Sequence, residues 1–116
     1  MATKETNIVQ LIRLFAPKFD CVIWKNVRGN FLSHDGKRRI AAGLNAAGAS
    51  DLIGFTRVKI TPEMVGQTIA VFTAIEVKTE TGTASIAQKD FIDFVLQNGG
   101  KAGLARNVDD AKKIVQ

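Results

Sequence analysis

Two carboxylates and one lysine are the residues whose types and spacing are suited to chemistry. Glu76 and Lys78 stand at the polar end of the apolar run 69–77, and Asp51 opens the earlier run 52–58. Alternate residues of a strand share a face, so Glu76 and Lys78 are expected to point the same way. Carboxylate oxygens bind hard divalent cations, and such a cation beside a lysine is suited to phosphodiester hydrolysis.

The two apolar runs must pair to bring these residues together. They are separated by a turn-like segment around 61–66, so the sequence favours a hairpin in which Asp51 meets Glu76 and Lys78. An ordinary ion pair between Glu76 and Lys78 is the alternative interpretation, and at a surface it contributes little stability. With one Cys and one His in the chain, a zinc site is not expected.

Four sequence segments, in this order, resemble a known family. They are Gly48 to Phe55, Ile75 to Thr79, Ser85 to Phe91, and the pair Gly99-Gly100. Together they are similar to the virus-type replication-repair nuclease (VRR-NUC) domain of the PD-(D/E)XK superfamily. The resemblance implies an α/β fold (an α+β sandwich) with a restriction-endonuclease-like core, in which helices flank a central mixed sheet. It also implies a DNA nuclease that uses Mg²⁺ or Mn²⁺.

The resemblance assigns roles to matching positions. Asp51 and Glu76 would bind the metal through their side chains and Val77 through its backbone carbonyl. Lys78 would be the catalytic lysine, and Gln88 the glutamine of the following helix. Because Ser85 and Gln88 also form the sequence pattern of a helix capping box, a structural role for Gln88 stays open.

Glu5 is the candidate for the family's glutamate on the first helix, which would act in catalysis as a metal ligand. Helical periodicity puts Glu5 near Ile12, on the side of the helix expected to be buried. The alternative is a first-turn glutamate that the helix dipole favours.

The resemblance also implies a substrate. Stand-alone members this short resemble homodimeric DNA-repair enzymes that cut four-way (Holliday) junctions, and a two-fold dimer supplies two active centres for two strands. Two alternatives stay open, since fold and metal site do not fix substrate shape. One is a linear-duplex or flap endonuclease of the same superfamily, and the other is a DNA-binding module without catalysis.

Length and charge favour one domain with an anionic partner. The 116 residues are enough for a single domain, 1–116, and the net charge is +5. Segment 26–50 lacks clear periodicity and is predicted to be a long loop. Its basic residues Arg28, Lys37, Arg38 and Arg39 are candidates for DNA phosphate contacts, and a solvated loop is the alternative.

Hydropathy predicts a cytoplasmic protein, in the host cell if the chain is viral. No apolar stretch approaches the roughly 20 residues of a membrane span, and residues 1–6 lack the apolar core of a secretory signal. Cys21 is expected in a strand core. His34 lies in a turn-like segment, where an exposed position is more common than a role as general base.

The remaining elements follow from periodicity and from helix or strand breakers. The pattern predicts helices at 4–16, at 85–98 and from 108 onward. Strands are predicted at 20–25, 52–58, 69–77 and 102–105.

Overall fold

The structure is a computed structural model that describes residues 4–116. Two compact units divide the chain: the first ends at Val58, and the second is Lys59–Gln116. The single-domain organisation therefore stays a prediction. The helices are α1 (Lys4–Phe15), α2 (Ile86–Gln97) and α3 (Val108–Val115), and the strands are β1 (Cys21–Lys25), β2 (Gly29–Leu32), β3 (Arg39–Ala42), β4 (Leu52–Thr56), β5 (Thr73–Val77) and β6 (Lys101–Ala105).

The first unit begins with α1, which ends where Pro17 prevents its continuation, as predicted. A 3₁₀ turn, Ala16–Phe19, follows, and Asp20 adopts a left-handed conformation with φ of 56°. Ala16 is buried, whereas the apolar stripe of α1 is exposed. This stripe comprises Ile8, Leu11, Ile12 and Phe15.

The partner of β4 differs from the prediction. β4 pairs antiparallel with β1, from Cys21 opposite Thr56 to Lys25 opposite Leu52, and β5 pairs with β6. The expected hairpin between runs 52–58 and 69–77 is therefore not the pairing that the described residues adopt. Close approach of the strands requires Gly54, because a Cβ there would overlap the carbonyl oxygen of Val22.

Segment 26–50 is not the loop that the sequence predicts. It contains the antiparallel hairpin β2–β3, with Gly29 opposite Ala42 and Leu32 opposite Arg39. Each strand has four residues, too few to show an alternating pattern against a background of Gly, Asn and Ala. Part of segment 26–50 is therefore regular secondary structure.

The second unit is a β–α–β arrangement followed by a helix. β5 and β6 are parallel, from Thr73 opposite Lys101 to Val77 opposite Ala105, and α2 connects them. β5 begins four residues later than predicted because β6, its partner, begins only after the Gly99 turn, where φ is +90°.

The core of the second unit lies between α2, β6 and α3. Val95 and Ala105 are buried, with 1% and 3% of their surface exposed. α3 covers Gly103, where a Cβ would come within 2.9 Å of Ile114. α3 begins at the N-cap Asn107, whose side chain accepts a hydrogen bond from the backbone N–H of Asp110.

The fold is α+β, as predicted, with helices and both antiparallel and parallel strand pairs. Over the described residues 4–116, the strands pair as three two-stranded sheets. Among residues 4–116, no helix is long and apolar enough to span a membrane.

Candidate functional site

Glu76 and Lys78 lie on one face at the end of β5, as the two-residue period predicts. Their side chains are half-buried, with 31% and 23% of their surface exposed, whereas Val77 between them faces solvent. The charged face of the strand end is therefore more enclosed than its apolar face. Partly enclosed charges need partners, and both residues have one.

Gln88 fixes the Glu76 carboxylate. Its Nε2 donates to Oε1 of Glu76 over 2.9 Å, while its own Oε1 accepts from the backbone N–H of Ser85, also over 2.9 Å. The Ser85 hydroxyl accepts from the backbone N–H of Gln88, which completes a capping box. The structural and functional interpretations of Gln88 therefore hold together, because the capping box directs the amide N–H group toward Glu76.

Lys78 completes the cluster. Its Nζ lies 3.4 Å from Oε1 of Glu76, the oxygen that Gln88 also contacts. The backbone N–H of Lys78 donates to the carbonyl of Ala105 at the end of β6 over 3.1 Å. The ion pair predicted as the simpler alternative is thus present, and both described contacts of Glu76 are made by one carboxylate oxygen.

A groove of about 410 Å³ opens beside this cluster. It is lined by residues of β5 and α2, namely Ala74, Ile75, Glu76, Ala87, Gln88, Phe91 and Ile92. The polar groups stand at one end of a mostly apolar lining. Such a concave surface with a few placed polar groups is typical of a binding site.

Asp51 lies in the first unit, directly before β4, and its side chain is exposed. Its backbone carbonyl accepts from the backbone N–H of Asn26 over 2.8 Å. The buried side chain of Asn26 donates to the carbonyls of Leu44 and Ser50, each over 3.1 Å, and accepts from the N–H of Leu44 over 2.9 Å. Asn26 therefore holds the segment that leads to Asp51.

The sequence analysis did not identify Asn26. The one signal for it is Gly43, which has φ of +73° and lies so close that a Cβ would come within 2.9 Å of the Asn26 Oδ1 and would overlap the Val27 carbonyl oxygen. Only glycine allows that approach.

The basic candidates Arg28, Lys37, Arg38 and Arg39 are exposed on or beside hairpin β2–β3. Ser33 and Asp35 order its tip: the Ser33 hydroxyl donates to Oδ1 of Asp35 and accepts from the N–H of Arg38. The hydrogen bond from the Ser33 hydroxyl, with a second from the backbone N–H of Lys37, lowers the pKa of Asp35. His34 is exposed at this tip.

Glu5 does not lie on a buried side of α1, which corrects the sequence expectation. Glu5 is exposed, and α1 has no buried residue. The expectation was wrong because the apolar stripe that defined the buried side is itself exposed. A role of Glu5 as ligand stays a prediction.

The structure thus brings together Glu76, Lys78 and Gln88. Within residues 4–116, no group of three His, Cys, Asp or Glu side chains is close enough to hold a metal ion. Asp51 belongs to the first unit and Glu76 to the second, so their joint site stays a prediction. Both described contacts of the Glu76 carboxylate use Oε1. Carboxylate oxygens are the ligands that hard cations prefer, so Glu76 is suited to bind one.

The fold and this cluster define an α+β domain with a carboxylate, a glutamine and a lysine at one strand end. The family model described as "VRR-NUC domain" matches residues 20–109, and the chain belongs to this family. It is therefore a nuclease of the PD-(D/E)XK type. Asp51, Glu76, Val77, Lys78 and Gln88 lie within the matched residues, and Glu5 lies before them. Comparison with curated proteins gives no match, and comparison with solved structures gives none either.

Proposed function

We propose that this nuclease is a metal-dependent DNA endonuclease and, as a homodimer, a structure-selective Holliday-junction resolvase in DNA repair. The observation that carries the proposal is the Glu76 carboxylate, held at one oxygen by Gln88 and Lys78 beside a groove. A partly enclosed carboxylate can bind a divalent cation, and a neighbouring lysine can stabilise the charge that develops in phosphodiester hydrolysis. The proposed place of action is the cytoplasm, of a host cell if the chain is viral.

Asp51 and Glu76 would hold the metal, Mg²⁺ or Mn²⁺, through their carboxylates and Val77 through its backbone carbonyl, with Glu5 as a further candidate. When bound, the cation would polarise the phosphoryl oxygen and lower the pKa of a water. Its oxygen ligands agree with a hard cation.

Lys78 and Gln88 would neutralise charge on the substrate and orient the Glu76 carboxylate. The Lys78 ammonium group would stabilise the negative charge that develops on the phosphoryl oxygens, a contribution that grows where water is excluded. Gln88 would keep the Glu76 carboxylate in one orientation, because its own amide is fixed by the capping box at Ser85.

Hairpin β2–β3 supports DNA as the partner. Three of its exposed basic residues lie at or next to a tip whose backbone Ser33 and Asp35 order, and the fourth lies directly before β2. Arginine and lysine contacts to phosphates supply much of the affinity for DNA without selecting sequence. They are Arg28, Lys37, Arg38 and Arg39.

Salt dependence tests this assignment. Replacing Arg38 or Arg39 by Gln should weaken DNA binding and reduce the slope of log K against log salt by about one for each lost phosphate contact. Arg13→Gln on α1 is the matched control and should leave the slope unchanged. An unchanged slope for both hairpin variants would return this cluster to the solvated-loop interpretation.

The exposed apolar stripe of α1 supports the homodimer. Ile8 and Leu11 each have 55% of their surface exposed, and apolar side chains grouped on one helix face favour a partner surface. Leu11→Glu should therefore dissociate the dimer in sedimentation equilibrium. Leu14→Glu, an exposed leucine off the stripe, is the control and should leave the dimer intact. A wild type that sediments as a monomer while nicking junctions in pairs contradicts the homodimer.

Substrate shape separates the junction resolvase from its alternatives. Wild type and Glu76→Gln are incubated with labelled linear, flapped, splayed and four-way DNA, in Mg²⁺ and in chelator. The proposal expects metal-dependent cleavage by wild type, fastest on the four-way junction, and none by the variant. Faster cutting of linear or flapped DNA would instead identify the related endonuclease. Binding of every form without cleavage would identify the non-catalytic module.

A further inference from the structure

Arg106 connects the end of β6 to the turn that follows the Glu76-Val77-Lys78 segment. Its Nη1 contacts three backbone carbonyl oxygens of that turn: Thr79 at 2.5 Å, Glu80 at 3.3 Å and Gly82 at 2.6 Å. Arg106 is itself held, because its backbone N–H donates to Oδ2 of Asp110 on α3 over 3.0 Å. One half-buried guanidinium group thus ties residues 79–82 to the start of α3.

The turn that Arg106 holds lies against the Lys78 side chain. A Cβ built at Gly82 would come within 3.6 Å of both Cβ and Cδ of Lys78. The turn is closed by the backbone N–H of Gly82, which donates to the carbonyl of Thr79 over 3.2 Å. Lys78 is therefore enclosed on its stem by the turn, while its backbone N–H is bonded to Ala105, the residue before Arg106.

Such enclosure matters because a lysine side chain has four rotatable bonds and loses much conformational freedom when its ammonium group is held in one place. The Lys78 Nζ lies 3.4 Å from Oε1 of Glu76, and contacts that restrict the rotamers of the stem favour this ion pair. Displacement of a reacting group by about 1 Å can cost about 10²-fold in rate. Fixing the turn thus fixes the direction of the ammonium group.

The geometry points to Arg106 as a positioning residue for the nuclease reaction: it holds turn 79–82 against the Lys78 stem and so directs the Lys78 ammonium group. The inference rests on the proposed function, in which Lys78 acts on the phosphodiester. The planar guanidinium suits this task, because Nη1 presents its two N–H groups in a fixed plane to adjacent carbonyls.

The test uses Arg106→Gln, Arg106→Lys and the control Arg57→Gln, whose arginine forms an exposed ion pair with Asp20. Arg106→Gln should lower kcat for DNA cleavage by about tenfold at saturating Mg²⁺, with KM for DNA unchanged. Arg106→Lys keeps the charge and N–H donors and should have an intermediate kcat. Arg57→Gln should leave kcat unchanged.

If Arg106 has only a structural role, Arg106→Gln should have a lower melting temperature but an unchanged kcat at a temperature where it is folded. That result would overturn the inference. If Arg106→Gln does not fold, Arg106→Lys decides alone, since wild-type kcat in that variant also overturns it. A larger KM with unchanged kcat would instead make Arg106 a DNA contact.

Lys78→Met separates this inference from the proposed function. In a Lys78→Met background, Arg106→Gln should cause no further loss of kcat, because its effect acts through Lys78. If Lys78→Met alone leaves cleavage unchanged, the proposed role of Lys78 has failed. If Lys78→Met slows cleavage and Arg106→Gln does not, only the role of Arg106 has failed.

Discussion

The two units hold their carboxylates in different ways. In the second unit, the Glu76 side chain is half-buried and its carboxylate contacts Gln88 and Lys78. In the first unit, Asp51 is held through its backbone carbonyl by Asn26, and its carboxylate is exposed. One unit thus fixes a side chain, and the other fixes the backbone from which a side chain extends.

This difference indicates how a metal centre would be organised. A carboxylate held by neighbours needs little reordering when a cation binds, whereas an exposed one loses rotamer freedom at that moment. We therefore expect changes around Glu76 to act on the reaction itself. Changes around Asn26 should act first on the stability of the first unit and only then on activity.

Loss of the Lys78 charge is expected to have the largest effect. Lys78→Met should lower kcat by about 10²–10³-fold, the usual cost of removing one group that stabilises transition-state charge. Single-turnover cleavage of a labelled junction measures this. Lys89→Met removes an exposed lysine of α2 and should cut at nearly the wild-type rate. Equal losses in both variants would mean that only net charge matters.

Gln88→Glu tests the orientation of Glu76. The new carboxylate can still accept from the backbone N–H of Ser85, but it replaces the N–H donor that faces Glu76 with a like charge. Cleavage should fall by about 10–100-fold with the melting temperature little changed. Ser85→Ala removes the capping hydroxyl but keeps the backbone N–H that bonds Gln88. It should cost about 1 kcal/mol of stability with cleavage nearly intact. Activity that simply followed stability in both would refute the orienting role.

Asn26→Ala tests the other side of the comparison. It removes a buried side chain that makes hydrogen bonds to the backbone of Leu44 and Ser50, so urea unfolding should show a loss of about 1–3 kcal/mol. Cleavage should fall less than in Lys78→Met. The exposed Asn30→Ala should stay within about 0.5 kcal/mol of wild type. A stable Asn26→Ala would show that Asn26 does not hold this segment.

The smallest effect is expected at the hairpin tip. Hydrogen bonds from Ser33 and then Lys37 lower the pKa of Asp35 from 3.8, so the folded state favours the ionised form. This stabilisation is present above the ordinary pKa of about 4 and is lost as pH falls through the lowered value. Urea unfolding at neutral and acidic pH should show Asp35→Asn slightly less stable than wild type only at neutral pH. A difference that grows in acid would contradict this.

Local patterns made part of the fold predictable. The capping box from Ser85 to Gln88 spans four residues, so this local pattern predicted the start of α2. The family resemblance predicted Gln88 near the site. Pro17 likewise gave the end of α1. The α+β class agrees with the predicted order of helices and strands.

Contacts between distant residues were not predictable. Asn26 bonds to carbonyls 18 and 24 positions away, and Arg106 to carbonyls 24 to 27 positions away, without any sequence pattern. The predicted partner of β4 was wrong because both β1 and β5 are apolar strands, and the hydrophobic pattern alone does not choose between them. The exposure of Glu5 was not predictable, because periodicity identifies the apolar face of α1 but not whether another element covers it.

The central proposal is that Asp51 and Glu76 would hold one metal ion together. Mn²⁺ titration followed by electron paramagnetic resonance tests it most directly, with wild type, Asp51→Asn, Glu76→Gln and the double variant, and with Asp93→Asn on α2 as control. We expect wild type and control to bind alike, each single variant to lose most of the affinity, and the double variant to lose little more. Full Mn²⁺ affinity in either single variant, or no saturable binding by wild type, would contradict the account.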